Sequence, residues 1–189
     1  MGIGTTTAEP TDAEVLARVA AGDVELFGVI IRRYVRSVTL LAEQLVRDRD
    51  DAEDVAEEAF VIVMEQAASF DPARASFKSW LYGIARSLAR RENTLRRRRQ
   101  RLWQRWRPES RVEPSPARAT EARETLGRVA AIMDDLPEMQ RRCFELHVVR
   151  GLDVAEVASM YEISESTVRQ HIFRARQIIR KQLGALGEP

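Results

Sequence analysis

The sequence predicts an all-α protein made of two helical domains joined by a flexible linker. Three observations carry that expectation. Apolar residues recur at three- and four-residue spacing through most of the 189 residues, the spacing of a helix face. No segment alternates apolar and polar residues between turn signals, as a strand would. The stretch 107–120 holds three prolines and no apolar periodicity, so it reads as a semi-extended spacer. The expected boundaries are 12–106 for the first domain, 107–120 for the linker and 121–185 for the second domain.

Thr11-Asp-Ala-Glu14 is a capping-box pattern that opens a short helix ending near Gly22. A second helix, 24–47, carries Leu26, Phe27, Ile30, Ile31, Tyr34, Val38, Leu41 and Leu45 on one stripe. A third, 51–68, repeats the pattern with Val55, Ala59, Ile62 and Val63. Residues 70–75 form a turn, and Ser76 starts a long helix through Phe77, Trp80, Leu81, Ile84, Ala85 and Leu88 into a run of arginines. Beyond the linker, helices are expected at 121–135, 138–149, 154–160 and 164–183. Leu136-Pro137 separates the first two, Gly151 ends the second, and Ser164 is the N-cap of the last. Fully stretched, the linker spans about 46–50 Å, more than the ~34–36 Å of one duplex turn.

Composition narrows the classes. With 44% hydrophobic and 31% charged residues the chain suits a globular fold. Thirty basic residues nearly balance 29 acidic ones, which excludes an acidic disordered protein or a simple basic tail. A single cysteine, Cys143, excludes an intrachain disulfide framework and fits a reducing compartment. No apolar run approaches the ~20 residues of a membrane span, and Met1–Pro10 lacks the basic and apolar parts of a secretory leader. Of the 30 basic residues, 28 are arginine, which suits phosphate and carboxylate contacts but is matched equally by a GC-rich coding bias.

The balance hides a strong sorting by position. Residues 48–58 sum to −6, residues 86–107 to +9, and residues 164–181 to +4. Blocks this polarised are expected to present separate faces to separate partners.

Residues 154–161, a tight turn and a helix from Ser164 have helix-turn-helix proportions. Val168 and Ile172, four apart, bury the inner face of the second helix. Its outer face then offers Ser164, Glu165, Ser166, Arg169, Gln170, Arg174 and Arg176, with Thr167 at the margin. A basic face with a polar N-terminus suits the major groove and its flanking phosphates. The competing reading is a helical hairpin with a solvated charged face.

The arginine block is the second candidate. Arg86, Arg90, Arg97 and Arg101 lie near one helical face, with Arg98 beside them. Phe77, Trp80 and Tyr82 precede the block, and Trp103 and Trp106 follow. Aromatic rings beside cations are what unpaired bases need, since stacking gives ~1–3 kcal/mol per base. Phe77 and Trp80 also fall on the apolar stripe, where a core role competes.

At this point the residues resemble a known family. Asp51-Ala-Glu-Asp-Val-Ala-Glu-Glu-Ala-Phe60, then Phe77-Lys-Ser-Trp-Leu-Tyr-Gly-Ile-Ala-Arg86, then Arg96 to Arg99, resemble region 2 of a sigma-70-family factor. Leu136 to Arg141, Gly151 to Ala158 and Ile163 to Arg176 resemble region 4. Both in this order, with a short spacer, resemble the extracytoplasmic-function (ECF) subgroup. The resemblance implies that Asp51, Glu53, Asp54, Glu57 and Glu58 dock on the β′ clamp helices of core RNA polymerase. It implies that Phe70, Lys78, Trp80, Tyr82, Arg86, Arg90, Arg97 and Arg98 act at the −10 element, melting it and capturing an extruded base. It implies that the helix from Ser164 reads the −35 element while apolar residues of region 4 meet the β flap. An anti-sigma factor covering both domains is a further implied partner, and the implied location is the bacterial cytoplasm, with the anti-sigma factor as a tether to the membrane. The chain departs from the family at Glu57, usually Gln, at Ser87, usually Asn, at Arg91, usually Asp, and at Glu162, usually Gly.

Rival classes fit less of the chain. An enzyme reading has i, i+4 carboxylates within 53–58 as metal ligands, but no matching Glu-x-x-His and no phosphate-binding glycine loop. Cys143 and His147 have zinc half-site spacing, yet His171 is the only other histidine, so a buried structural cysteine is the expectation. No metal, cofactor or small-molecule substrate is therefore expected. A stand-alone helix-turn-helix regulator needs neither the acidic helix nor the arginine block. A basic RNA-binding adaptor accounts for 86–107 but not for the two-domain pattern.

Overall fold

The structure, a computed structural model, describes residues 9–46, 48–106 and 131–185. The described residues hold helices and no strand, in two compact units, Met1–Arg96 and Arg97–Pro189.

In the first unit, α1 (Asp12–Ala20) begins at the Thr11 capping box. Glu14 Oε2 accepts from the Thr11 N–H at 2.7 Å, and Thr11 Oγ1 accepts from the Glu14 N–H at 3.3 Å. The Thr11 N–H, and then the Thr11 hydroxyl donating at 2.9 Å, hold the Glu14 carboxyl below its ordinary range. A short 3₁₀ turn (Val24–Leu26) leads into α2 (Phe27–Leu45), which buries Phe27, Ile30, Tyr34, Val38 and Leu41. Ile31, on the predicted stripe, is instead 39% exposed. Arg33 ties α1 to α2 by donating to Asp12 at 2.8 Å and to the Pro10 carbonyl at 2.8 Å, and Tyr34 donates to Asp12 at 2.5 Å.

The acidic helix α3 (Arg49–Glu65) starts two residues earlier than its apolar pattern suggests, because Asp48 serves as N-cap and accepts from the Asp50 N–H at 3.0 Å. Asp50 and Asp51 fall in the first turn, where carboxylates complement the helix dipole. The inner face buries Ala52, Val55, Ala56, Ala59, Phe60 and Val63. After a 3₁₀ turn (Ala67–Ser69), Asp71 organises the loop by accepting from the Ala73 N–H at 2.9 Å. Ser76 then caps α4 (Phe77–Trp106), accepting from the Ser79 N–H at 3.2 Å.

Helix α4 buries Phe77, Leu81, Tyr82, Ala85, Leu88 and Ala89. Beyond Ala89 its described side chains are half-buried or exposed, so the helix runs on past its own core. The units divide at Arg96/Arg97, inside this helix, ten residues before the boundary expected at 106. The 107–120 spacer and most of the 121–135 helix lie outside the described residues.

In the second unit, α5 (Glu138–Phe144) follows Pro137 and continues into a π-helical turn (Glu145–Val149). Gly151, at φ +75°, reverses the chain. Helix α6 (Val154–Tyr161) is capped by Asp153, which accepts from the Glu156 N–H at 2.6 Å. Helix α7 (Glu165–Ala185) is capped by Ser164, which accepts from the Thr167 N–H at 3.1 Å. Val157, Ala158 and Met160 of α6 and Val168, Ile172 and Ala175 of α7 are buried, while Ala155 is exposed.

Glu162 links the two helices with φ 56° and ψ 40°. A left-handed residue is required there to turn α6 into α7, and a side chain with a Cβ pays for it in steric strain of ~1–2 kcal/mol. Replacing Glu162 by Gly is expected to stabilise the turn by about 0.5–1 kcal/mol. Amide-exchange protection between residues 157 and 172 should rise about two- to fivefold, and unchanged or lower protection would contradict the strain.

Candidate nucleic-acid interface

Three charged or aromatic surfaces emerge from this packing. The first is the outer side of α3. Asp50, Asp54, Glu57 and Val61 follow helical spacing on one exposed stripe, with Glu53 beside it. Asp54 and Glu57 form no ion pair among the described residues, whereas Glu53 accepts from Arg49 at 3.0 Å. Asp51 and Glu58 lie on the side facing α4. Arg96 donates to Asp51 at 2.5 Å and to Asp48 at 3.3 Å, and Arg91 donates to both oxygens of Glu58 at 2.8 and 2.5 Å. The Asp50 N–H, and then Arg96, hold the Asp48 carboxyl below its ordinary range. Glu58 raises the Arg91 guanidinium. Of the five carboxylates expected on the docking face, Asp51 and Glu58 are therefore engaged within the fold.

The second surface lies where the 70–76 loop meets α4. Phe70 packs against Trp80 at a tilt of 33° with ring centroids 5.2 Å apart and meets Phe77 edge-on at 5.8 Å. Phe77 in turn meets Tyr34 edge-on at 5.3 Å. Phe77 is the buried anchor, while Phe70, Lys78 and Trp80 are half-buried and so keep part of their surface in solvent. Arg86 is half-buried, and Arg90, Arg97 and Arg98 are exposed farther along the helix. Arg101, Trp103 and Trp106 lie where only the backbone is described.

Tyr82 does not belong to this surface. It is fully buried, and its hydroxyl donates at 3.0 Å to Ser37 Oγ, which donates in turn to the Tyr34 carbonyl at 3.1 Å. The sequence reading placed it with the DNA-contacting aromatics. A polar partner on α2 lets the phenol enter the core instead.

The third surface is the outer face of α7. Val168, Ile172 and Ala175 fix the inner face, leaving Ser164, Glu165, Ser166, Arg169, Gln170, Arg174 and Arg176 exposed and Thr167 at the margin. Ser164 Oγ shares hydrogen bonds of 2.8 Å with the hydroxyls of Ser166 and Thr167, which gathers three hydroxyls at the helix start. Glu165 accepts from Arg169 at 2.6 Å and so orients that guanidinium. Sequence reasoning missed Phe173, which is 61% exposed between Arg169 and Arg176. Its position four residues after Arg169, outside the Val168–Ile172 stripe, was the available signal. Phe173, Arg169, Arg176, Ile172, His147 and Val154 line a cleft of about 260 Å³.

Among the described residues no three His, Cys, Asp or Glu side chains gather as metal ligands. His147 Nδ1 is already 2.8 Å from the Leu152 carbonyl. Cys143 is fully buried.

Comparison with known proteins gives the family. Residues 30–110 match Sigma-70 region 2, and residues 126–179 match Sigma-70 region 4. The RNA polymerase sigma-H factor of Pseudomonas aeruginosa is 30% identical over 93% of this chain and 95% of its own length. The chain belongs to the sigma-70 family. The ECF RNA polymerase sigma-E factor of Escherichia coli is 29% identical over 89% of this chain and 92% of its own. Among solved structures, CnrH in complex with the cytosolic domain of CnrY is 25% identical, with TM-score 0.57 over 92% of this chain and 97% of that one. The protein is an ECF-type sigma factor, a promoter-specificity subunit for transcription initiation. A stand-alone helix-turn-helix regulator leaves the region 2 match unexplained. Sigma factors act as regulators rather than enzymes, and no described helix is long and apolar enough to cross a membrane.

Burial pushes the Cys143 thiol from its ordinary 9.0 up to about 11. The folded thiol therefore holds its proton longer than the unfolded one. Its contribution to stability is full below pH 9.0 and is lost as the pH climbs towards 11. Cys143 in the folded sigma factor should resist iodoacetamide at pH 8 and react on unfolding in urea; rapid alkylation of the native chain would contradict the burial.

Proposed function

We propose that this sigma factor grips core RNA polymerase through the exposed stripe of α3, opens the −10 element with the 70–76 loop and α4, and reads the −35 element with α7. The observation that carries this reading is the separation of exposed carboxylates on α3 from exposed guanidinium groups on α4 and α7. The docking set is Glu53, Asp54 and Glu57, joined by Asp50. A basic partner such as the β′ clamp helices complements it, and Val61, 47% exposed at the end of the stripe, adds apolar contact.

At the −10 element, unstacking a base costs a few kcal/mol, and aromatic stacking at ~1–3 kcal/mol per base offsets it. The tilted pair Phe70–Trp80, packed against buried Phe77, offers aromatic surface of that kind. Lys78, Arg86, Arg90, Arg97 and Arg98 supply cations for the strand that leaves the duplex.

At the −35 element, Arg169, Gln170 and Arg174 lie on the face that enters the major groove. Phe173 supplies an apolar contact of the kind thymine methyl groups receive. Ser164, Ser166, Thr167 and Arg176 suit flanking phosphates, aided by the helix N-terminus. The region 4 domain also meets the β flap.

The chain itself catalyses no reaction and needs no cofactor; catalysis stays with the polymerase. We place it in the bacterial cytoplasm. The solved complex of the similar CnrH with the cytosolic domain of CnrY supports an anti-sigma partner here, and with it a tether to the membrane.

Core polymerase supplemented with this chain should initiate from discrete sites on genomic DNA of the source organism, and start-site mapping should reveal a shared −35/−10 pair. Transcripts no different from core polymerase alone would sink the reading. Arg169→Ala and Arg174→Ala should each weaken promoter binding by about 1–3 kcal/mol. Asp54→Arg should abolish polymerase binding while thermal stability holds; retained affinity would remove α3 from the polymerase contact.

A further inference from the structure

Four side-chain bonds fasten α3, the helix expected at the polymerase, to α4, the helix expected at the opened strand, and a fifth ties α4 to α2. Three of the five gather at the corner between α2 and α3. Asn93 Nδ2 donates to the carbonyl of Leu45, the last residue of α2, at 2.8 Å. One helical turn on, Arg96 bridges Asp48, the N-cap of α3, and Asp51 in its first turn. Two turns along α3 from Asp51, Glu58 takes both of its bonds from Arg91. Asp51 and Glu58 are seven residues apart and share one side of α3, so α4 holds that side at both ends.

We infer that Arg91, Asn93 and Arg96 are positioning residues that set the register of α4 against α3, transmitting polymerase docking on one helix into strand opening by the other. Arg91 and Arg96 thereby leave the set of DNA contacts that the arginine block as a whole suggests. This rests on the proposed docking of α3 and opening by α4.

Burial alone does not supply this register. Arg91 and Glu58 are 58% and 42% exposed, and an exposed pair contributes little to stability. What the contact does fix, with one Arg91 nitrogen donating to both Glu58 oxygens, is the point at which α4 meets α3. Among the described side chains of α4 the last buried ones are Leu88 and Ala89, and the helix continues to Trp106. Arg91, Asn93 and Arg96 thus supply bonds that aim α4 beyond its apolar anchorage. The chemistry also fits the departure from the family pattern. A carboxylate at 91 would repel Glu58, whereas arginine there closes on it.

Reversing the pair separates this role from a DNA contact. Opening is followed by 2-aminopurine fluorescence on the promoter that the holoenzyme selects from genomic DNA. Arg91→Glu should lower opening about tenfold, with melting temperature and polymerase affinity close to the parent's. Combining it with Glu58→Arg should restore opening. Asn93→Ala, which removes no charge, should lower opening by a similar factor with no change in salt dependence. If the reversed pair opens as poorly as Arg91→Glu alone, or Asn93→Ala opens like the parent, the positioning role fails while the sigma-factor reading stands. A parent chain that opens no promoter with polymerase overturns both.

Discussion

Neutralising one edge of a charged helix while leaving another edge bare is the constraint on which the rest of this structure depends. Residues 48–58 carry a net −6 and residues 86–107 a net +9. If every carboxylate met an arginine, the acidic block would be neutralised and nothing would be left to address a basic partner. Instead the cancellation stops at a seam. Asp48, Asp51 and Glu58 meet Arg96 and Arg91, while Asp50, Asp54 and Glu57 turn outward. Helical periodicity makes this possible, because residues three, four or seven apart share an edge while immediate neighbours such as Asp50 and Asp51 turn to different edges.

That division gives each half of the first unit a distinct chemistry. The inner apolar faces of α2, α3 and α4 supply stability through Leu41, Val63 and Leu81, all fully buried. The seam supplies direction, and the outer faces supply recognition. The aromatic cluster follows the same logic, since buried Phe77 anchors two half-buried rings that remain available to solvent. In the second unit the helix-turn-helix accepts a left-handed glutamate at 162 to place α7, and the hydroxyls of Ser164, Ser166 and Thr167 close the helix start. Local strain at a recognition element is tolerated when surrounding contacts over-determine it.

Features set by neighbours in the chain were legible from the sequence. The Thr11–Glu14 capping box, the Ser164 cap, the Pro137 break and the α7 stripe through Val168 and Ile172 are all local patterns, and each stands where its residues place it. Glu162 stands where the resembled family usually has Gly, and it takes the positive φ that a glycine would take there. What escaped depends on partners far along the chain. Tyr82 was grouped with surface aromatics because its burial rests on Ser37, forty-five residues away. Arg91 and Arg96 looked like further members of a basic run because Glu58, Asp51 and Asp48 approach them only after folding. Phe173 escaped because a phenylalanine reads from sequence as core, whereas the packing of Val168, Ile172 and Ala175 leaves it exposed.

The central claim is that α3 addresses protein and α7 addresses DNA. Photocrosslinking side chains placed at position 57 and at position 170 of the holoenzyme on promoter DNA test it most directly. The account predicts that position 57 attaches to a polymerase subunit and position 170 to the duplex. Attachment of position 57 to DNA, or of position 170 to polymerase alone, would contradict it.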